Sequence, residues 1–441
     1  MSRSRHLTAL LFAVILVTSS AALAGRARAT GLPATAALDW NVIAVTAVRG
    51  ATVPIPKFQV EGFIYMSYVQ AAVSDAVTKI EGRYTPYHDF TVPSSDVADA
   101  SPDAAIAAAA YTTLAHYLAD QPAALLSGLG ATYASYVGGL PAAGKADGIA
   151  VGVAAANDII AFRTGDGLAD PSKTFTPGAA TKGAWQLTPP AFAAPQTPWV
   201  ASMRPFMLSS MSQFRSEPPP DLSSDEWAAG FNEVKAFGGE GVTTSSQRTA
   251  SETAVALFWN ANAVNQYNQA WRDVSTSRGL DLVDTVRLLA LGEMVAADAG
   301  IGCFEAKYHY AFWRPVTAIR NAGVDDNAAT TADPTWTPLI VTPNHPEYPS
   351  AHGCLDGAQA EVFANVLGTN RIDVDIHGSA TGAAGNFDAI HHFGKVNELT
   401  REIIDARTWA GLHYRWSTVQ GVVLGRKAAD WILRRYFLPV G

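Results

Sequence analysis

Alanine- and leucine-rich stretches with apolar residues three and four apart recur along this chain, and alternating strand patterns are weak nearly everywhere. That spacing gives each segment one apolar stripe, and helical stripes must be buried against one another. It predicts helices near 60–81, 102–119, 121–137 and 143–163, then near 223–236, 249–273, 280–312, 351–366, 393–413 and 417–437. Ser101-Pro102-Asp103 and Ser223-Ser224-Asp225-Glu226 read as helix starts, a hydroxyl cap followed by proline or acids. The expected fold is all-α, as two packed helical bundles: residues 30–222 with a proline-rich connection, and residues 223–441. The connection, about 166–222, also carries Trp185, Phe192, Trp199 and Phe206. A solvated linker has no use for such rings, so they are expected to pack on the bundles. A second irregular stretch runs from Asn321 to Tyr348, and no solenoid-length repeat is present.

The first 29 residues differ from the rest. Arg3, Arg5 and His6 precede an apolar run from Ala9 to Val17, and small-residue sites follow at Ala22-Leu23-Ala24 and Ala27-Arg28-Ala29. This is the layout of a cleavable secretory signal, so a secreted or periplasmic product is expected. Cleavage would remove four arginines and no acid, taking the formal charge from −8 to −12. So acidic a product lacks the basic footprint of a nucleic-acid binder, and no later stretch is apolar for long enough to span a membrane. Export also permits a disulfide, and the only cysteines, Cys303 and Cys354, are either a bridge or two buried thiols. Gly139-Leu140-Pro141-Ala142-Ala143-Gly144-Lys145-Ala146 has phosphate-loop spacing but ends in Ala and follows no strand; it reads as a turn between helices.

Seven of the ten histidines lie between His309 and His413, which places the chemistry in the C-terminal half. Three segments stand out. Lys307 and Arg314 are seven residues apart, about two helical turns, so both are expected on one helix face. In Pro343-Asn344-His345-Pro346-Glu347-Tyr348-Pro349-Ser350-Ala351-His352 the prolines hold the chain extended before a small-residue helix begins. Free N–H groups at that helix start, beside the Ser350 hydroxyl and His352, suit an anion. In the third segment Arg407 offers a planar donor fork, and His413 joins it only if the helix ends or bends near Gly411. Three cations, two histidines and a helix start together suit a tetrahedral or trigonal-bipyramidal dianion.

The ordered pattern Lys-x6-Arg-Pro, Pro-Ser-x-His and Arg-x5-His, over about residues 303–416, resembles the vanadium haloperoxidase and type 2 phosphatidic acid phosphatase superfamily. Phe312-Trp313-Arg314-Pro315 resembles the haloperoxidase branch, as does Val69–Ala76 more weakly. The resemblance implies vanadate as cofactor, bonded axially by His413. Lys307, Arg314, Arg407, Ser350 and the Ala351 N–H would hold its oxygens. His352 would take the proton of hydrogen peroxide, and Lys307 would polarise the bound peroxide toward a halide and an organic acceptor. The phosphatase alternative needs no cofactor: His413 attacks a phosphomonoester and His352 protonates the leaving alcohol. A non-catalytic anion binder is the third reading. Four positions bear on these implications. Ala351 replaces the usual glycine. Ser417 stands where phosphatases often carry an aspartate that orients the last histidine. His345 stands where bromide-oxidising relatives resemble one another in having histidine, which implies bromide or iodide. Asp356, one turn after His352, is either a surface acid or that ring's orienting group.

Overall fold

The computed structural model describes residues 31–54, 56–179, 181–378 and 389–440. The expected signal at 1–29 lies outside them. Among the described residues the first half carries α1 (Thr35–Gly50), α2 (Gln59–Glu81), α3 (Ser94–Ala98), α4 (Pro102–Tyr117), α5 (Ala123–Gly139) and α6 (Lys145–Arg163). After the proline-rich connection come α7 (Asp225–Phe237), α8 (Ala250–Phe258), α9 (Ala263–Ser277), α10 (Leu282–Tyr310) and α11 (Pro315–Arg320). The chain closes with α12 (Ala351–Leu367), α13 (Val396–Trp409) and α14 (Arg415–Leu433). Among the described residues the fold is all-α apart from one short antiparallel pair of strands, β1 (Val374–His377) with β2 (Ile390–Phe393), in which Val374 faces Phe393.

The expected caps form: Ser101 accepts from Ala104 N and Ser224 from Trp227 N. Three expectations change. Helix α1 lies upstream of the first predicted helix; its Val42-Ile43, Val45-Thr46 and Val48 are β-branched and weaken the local helical signal. The helix expected over 249–273 is two, because Asn262 caps a new start by accepting from Val264 N. The helix expected over 280–312 stops at Tyr310, where Ala311 adopts the left-handed conformation (φ +44°). Arg314 is therefore the residue before the first turn of α11, and Lys307 and Arg314 do not share a helix face.

One apolar cluster runs from Ala36 to Phe437 and threads α1, α2, α4, α10, α12 and α14. Within it α10 packs on α2 from the first half and on α12 and α14 from the second. Close helix approach depends on glycine. A Cβ at Gly152 of α6 would lie 2.2 Å from Ala105 O, and one at Gly425 of α14 would lie 2.0 Å from Cys354 O. At Gly144 (φ +65°) the phosphate-loop-like segment turns into α6, where a Cβ would lie 2.0 Å from Asp99 O. In the connection Trp185, Trp199 and Phe206 are buried as expected, but Phe192 is 59% exposed. Buried Asp298 of α10 secures that connection, accepting from the N–H groups of Phe206, Met207 and Leu208 at 2.6, 2.7 and 2.8 Å. No helix among the described residues is long and apolar enough to cross a membrane. Cys303 and Cys354 are free, buried thiols.

Candidate active site: a buried cage of cations

Chain reversals, not one helix face, bring the three motifs together. Past Ala311 the chain leaves α10 so that Lys307 and Arg314 both reach the extended segment 345–347. Lys307 Nζ donates to Pro346 O (2.9 Å) and Glu347 O (2.8 Å), and Arg314 Nε donates to His345 O (2.9 Å). At the end of α13, Gly411 (φ +76°) sits where a Cβ would lie 2.4 Å from Gly238 O. The Leu412 and His413 N–H groups turn back onto Arg407 O, which folds His413 over the helix end. Ser350 precedes α12 and accepts from Gly353 N, and Ala351 and His352 open its first turn.

Phe58, Gln59, His345, His352, Arg407 and His413 are among the residues lining a small cavity of ≈ 50 Å³. By the space one water needs, that is room for a few waters or one tetrahedral oxyanion. Phe58 and Gln59 come from the first half, and nothing in their local sequence marks them as site residues. Lys307, Arg314 and Arg407 are all within electrostatic reach of His352 and His413.

Lys307, Arg314 and Arg407 are at most 2% exposed. Among the described residues none of the three enters an ion pair within 4.0 Å; they donate to carbonyls and ring nitrogens, and Arg407 Nε has no acceptor. Burying an unpaired ion costs on the order of several kcal/mol. Burial holds Lys307 down to about 8 and Arg314 down to about 10, and burial with Arg314 repulsion holds Arg407 down to about 9. Burial and these same cations press His345, His352 and His413 well below the ordinary histidine range, so the rings are neutral near pH 7. A bound dianion would reverse each of these penalties, and the donor set fits one.

The cage also defines one tautomer. Arg314 Nη1 lies 3.1 Å from His413 Nε2, and a guanidinium can only donate, so Nε2 is the acceptor. The proton is then on Nδ1, which donates to Glu347 Oε1 at 2.8 Å. Buried Glu347 is further held by Tyr414 N and lies beside Ser417. Burial raises its carboxyl to about 7 against the pull of Lys307 and Arg314. A carboxylate thus orients His413 although position 417 is serine; it arrives from the 343–352 segment. Its only sequence signal was an acid among prolines beside an anion-type helix start.

Asp356 is neither a surface acid nor the group that orients His352. It is fully buried and accepts from Tyr267 Oη, and its charge acts on Arg407. Among the described residues His352 Nε2 has no hydrogen-bond partner. His345 sits between Phe58 and Phe304, with ring centroids 5.6 and 5.2 Å away, and its Nδ1 lies 3.0 Å from Arg314 Nη2.

Residues 287–438, which contain all three motifs, match the family model of the VCPO second helical-bundle domain. The vanadium chloroperoxidase of Curvularia inaequalis is 29% identical over 201 residues, covering 37% of this chain and 32% of that protein. The vanadium-dependent bromoperoxidase of Ascophyllum nodosum is 27% identical over 173 residues, covering 36% of this chain and 29% of its own. The matched region thus spans about a third of the length of these relatives. In fold, a structure described as the first bacterial vanadium-dependent iodoperoxidase aligns over 92% of this chain and 97% of its own, with a TM-score of 0.76 and 22% identity. A bacterial vanadium-dependent chloroperoxidase aligns over 85% of this chain and 90% of its own, with a TM-score of 0.67 and 16% identity. Family model, relatives and fold agree in supporting the vanadium haloperoxidase superfamily, the sequence match lying in the second helical bundle and the likeness of fold extending over most of the chain.

Proposed function

We propose that this protein is a vanadate-dependent haloperoxidase that oxidises bromide or iodide with hydrogen peroxide and passes the halogen to an organic acceptor. The observation that carries the reading is the set of three buried cations without carboxylate partners, converging on a neutral histidine whose Nε2 lone pair faces them. Lys307, Arg314, Arg407, the Ser350 hydroxyl and the Ala351 N–H would hold the oxygens of vanadate, with His413 Nε2 as its protein ligand. Vanadate, when bound, supplies the Lewis-acidic centre at which peroxide is activated toward halide. Glu347 keeps the proton on Nδ1 and so leaves Nε2 free for the metal, as carboxylates behind metal-bound histidines do. His352, neutral and with Nε2 unpartnered in the first turn of α12, accepts the proton that peroxide loses. Lys307, anchored by two carbonyls, would donate its remaining N–H to the oxygens of the bound group and so draw electron density from them. His345, wedged between Phe58 and Phe304 on the cavity wall, supports the preference for bromide or iodide. The basic-then-apolar N-terminus supports export, which N-terminal sequencing of the secreted protein would test by a start near residue 30.

A second reading has its own support. Glu347 gives His413 the oriented carboxylate partner of a phosphohistidine-forming nucleophile, so acid phosphatase chemistry on a phosphomonoester fits the same residues. The separating experiment adds orthovanadate and peroxide to purified protein and measures halogenation of an activated organic acceptor with chloride, bromide and iodide. Hydrolysis of a generic phosphomonoester is measured in parallel. Hydrolysis blocked by vanadate, with no halide oxidation, would replace the first reading by the second. Anion binding with neither activity would leave a non-catalytic anion binder.

A further inference from the structure

The two cysteines lie directly against the cage and have no part in the chemistry above. Cys303 is one helical turn before Lys307 on α10, and Cys354 lies in the second turn of α12, four residues after Ser350. Both are completely buried. The two thiols act on each other, and Cys303 Sγ donates to Pro349 O at 3.6 Å. Pro349 is the residue before Ser350, so this bond steadies the backbone that starts the anion-binding helix.

We propose that Cys303 and Cys354 are an oxidisable pair, closed to a disulfide by hydrogen peroxide, and that closure weakens the anion cage at the start of α12. The Cys303 sulfur attacks one peroxide oxygen, the O–O bond breaks, and the departing hydroxide takes up the thiol proton and leaves as water. The Cys354 sulfur then attacks the resulting sulfenic acid, the S–O bond breaks, and a second water carries off the Cys354 proton. Two thiols and one peroxide become one disulfide and two waters. Burial shuts out bulky oxidants, whereas peroxide is close to water in size. The source of the oxidant rests on the peroxide-using reading above; the geometry of the pair does not.

Closure has two local consequences. Both thiol hydrogens disappear, so Pro349 O loses its donor within a buried segment. A disulfide also sets the Cβ atoms about 3.8 Å apart, tying α10 to α12 below Lys307 and Ser350. Either change displaces donors from the positions that an anion requires.

The test uses the full chain without vanadate or halide. Reduced protein is exposed to peroxide, digested without reductant and examined by mass spectrometry, while equilibrium dialysis measures binding of inorganic phosphate before and after. The expected result is a peptide linking residues 303 and 354, phosphate affinity lower by about fivefold or more, and recovery of both with dithiothreitol. The Cys303→Ala/Cys354→Ala variant, which also lacks a donor to Pro349 O, should ignore peroxide: its phosphate affinity should be the same before and after exposure, with no cross-linked peptide. Two free thiols after exposure that has oxidised methionines would overturn the proposal, as would a disulfide that leaves phosphate affinity unchanged. The wild-type measurements decide the matter even if the double variant fails to fold. Because no halide enters the assay, a failure of the haloperoxidase reading would be recorded separately.

Discussion

The α4–α6 and α12–α14 pairs are built with the same device and end in opposite ways. In each, glycines bring backbones together: Gly148 and Gly152 against Ser101 O and Ala105 O, Gly421 and Gly425 against Ser350 O and Cys354 O. The first pair closes on alanine and isoleucine, and the charge buried at its end, Arg163 of α6, is paired with Asp166 at 2.8 Å. The second delivers the start of α12 to a pocket where, among the described residues, three buried cations form no ion pair within 4.0 Å and His352 Nε2 and Arg407 Nε have no hydrogen-bond partner. Close packing alone therefore accounts for the scaffold. The cage remains electrostatically incomplete without an anion, and stability measured with and without one should tell the two regions apart.

The largest expected effect is on the scaffold. Gly152→Ala forces a methyl into a backbone carbonyl and should destabilise by about 3 kcal/mol, with phosphate affinity of the folded fraction unchanged. Gly425→Ala should cost a similar amount and also weaken anion binding, because Cys354 O lies one turn from Ser350. Denaturant melts paired with equilibrium dialysis would read both, and equal affinity losses in the two variants would erase the distinction. Next, saturating orthovanadate or phosphate should stabilise the wild-type protein by about 2.7 kcal/mol at a hundredfold excess over Kd. Arg407→Met should leave the anion-free protein as stable or more so, while removing charge-assisted hydrogen bonds worth about 1.5–3 kcal/mol of anion binding. A marked loss of stability in anion-free Arg407→Met would mean that Asp356 already neutralises Arg407.

The pH predictions follow from the shifts. Lys307 has a folded value of about 8 against an ordinary 10.5. The anion-free cage should therefore shed that proton above pH 8, and dialysis should show anion affinity falling by up to about tenfold per pH unit there. His345, His352 and His413 have folded values below the ordinary 6.5. Their contribution to stability is present above pH 6.5 and lost as pH falls toward the folded values, because the unfolded chain binds those protons more readily. Urea melts below pH 6.5 should show this slope, and His345→Phe should make it shallower. The smallest effect is expected at Glu347→Gln, whose amide oxygen can still accept from His413 Nδ1. Glu347→Leu leaves that N–H unpaired and should cost about 1–3 kcal/mol. Equal effects of the two variants would show that Glu347 merely fills space.

Much of this was legible in the chain. Periodicity placed most helices, because an amphipathic stripe is a local property. Where the local pattern and the structure differ, the cause is local as well. The β-branched run hid α1, Asn262 divided one expected helix, and a left-handed Ala311 ended α10 early. Lys307 and Arg314 do not share the helix face that their seven-residue spacing suggests, although both side chains bind the 345–347 backbone. The roles of Glu347 and Asp356 could not be read locally, since their partners, His413 and Tyr267, are 66 and 89 residues away.

The sequence by itself determined that the chain would be helical, that its cations and histidines would gather in the C-terminal half, and that a serine-capped helix start would offer them an anion. These follow from residue type and spacing. Only the tertiary structure decided that the cations form no ion pairs among the described residues, that Glu347 stands in for the missing aspartate, that Phe58 and Gln59 help wall the cavity, and that two buried thiols lie beside it. The reason is physical: burial and pairing depend on which distant segments the packed helices bring within a few ångströms, and no local pattern encodes that.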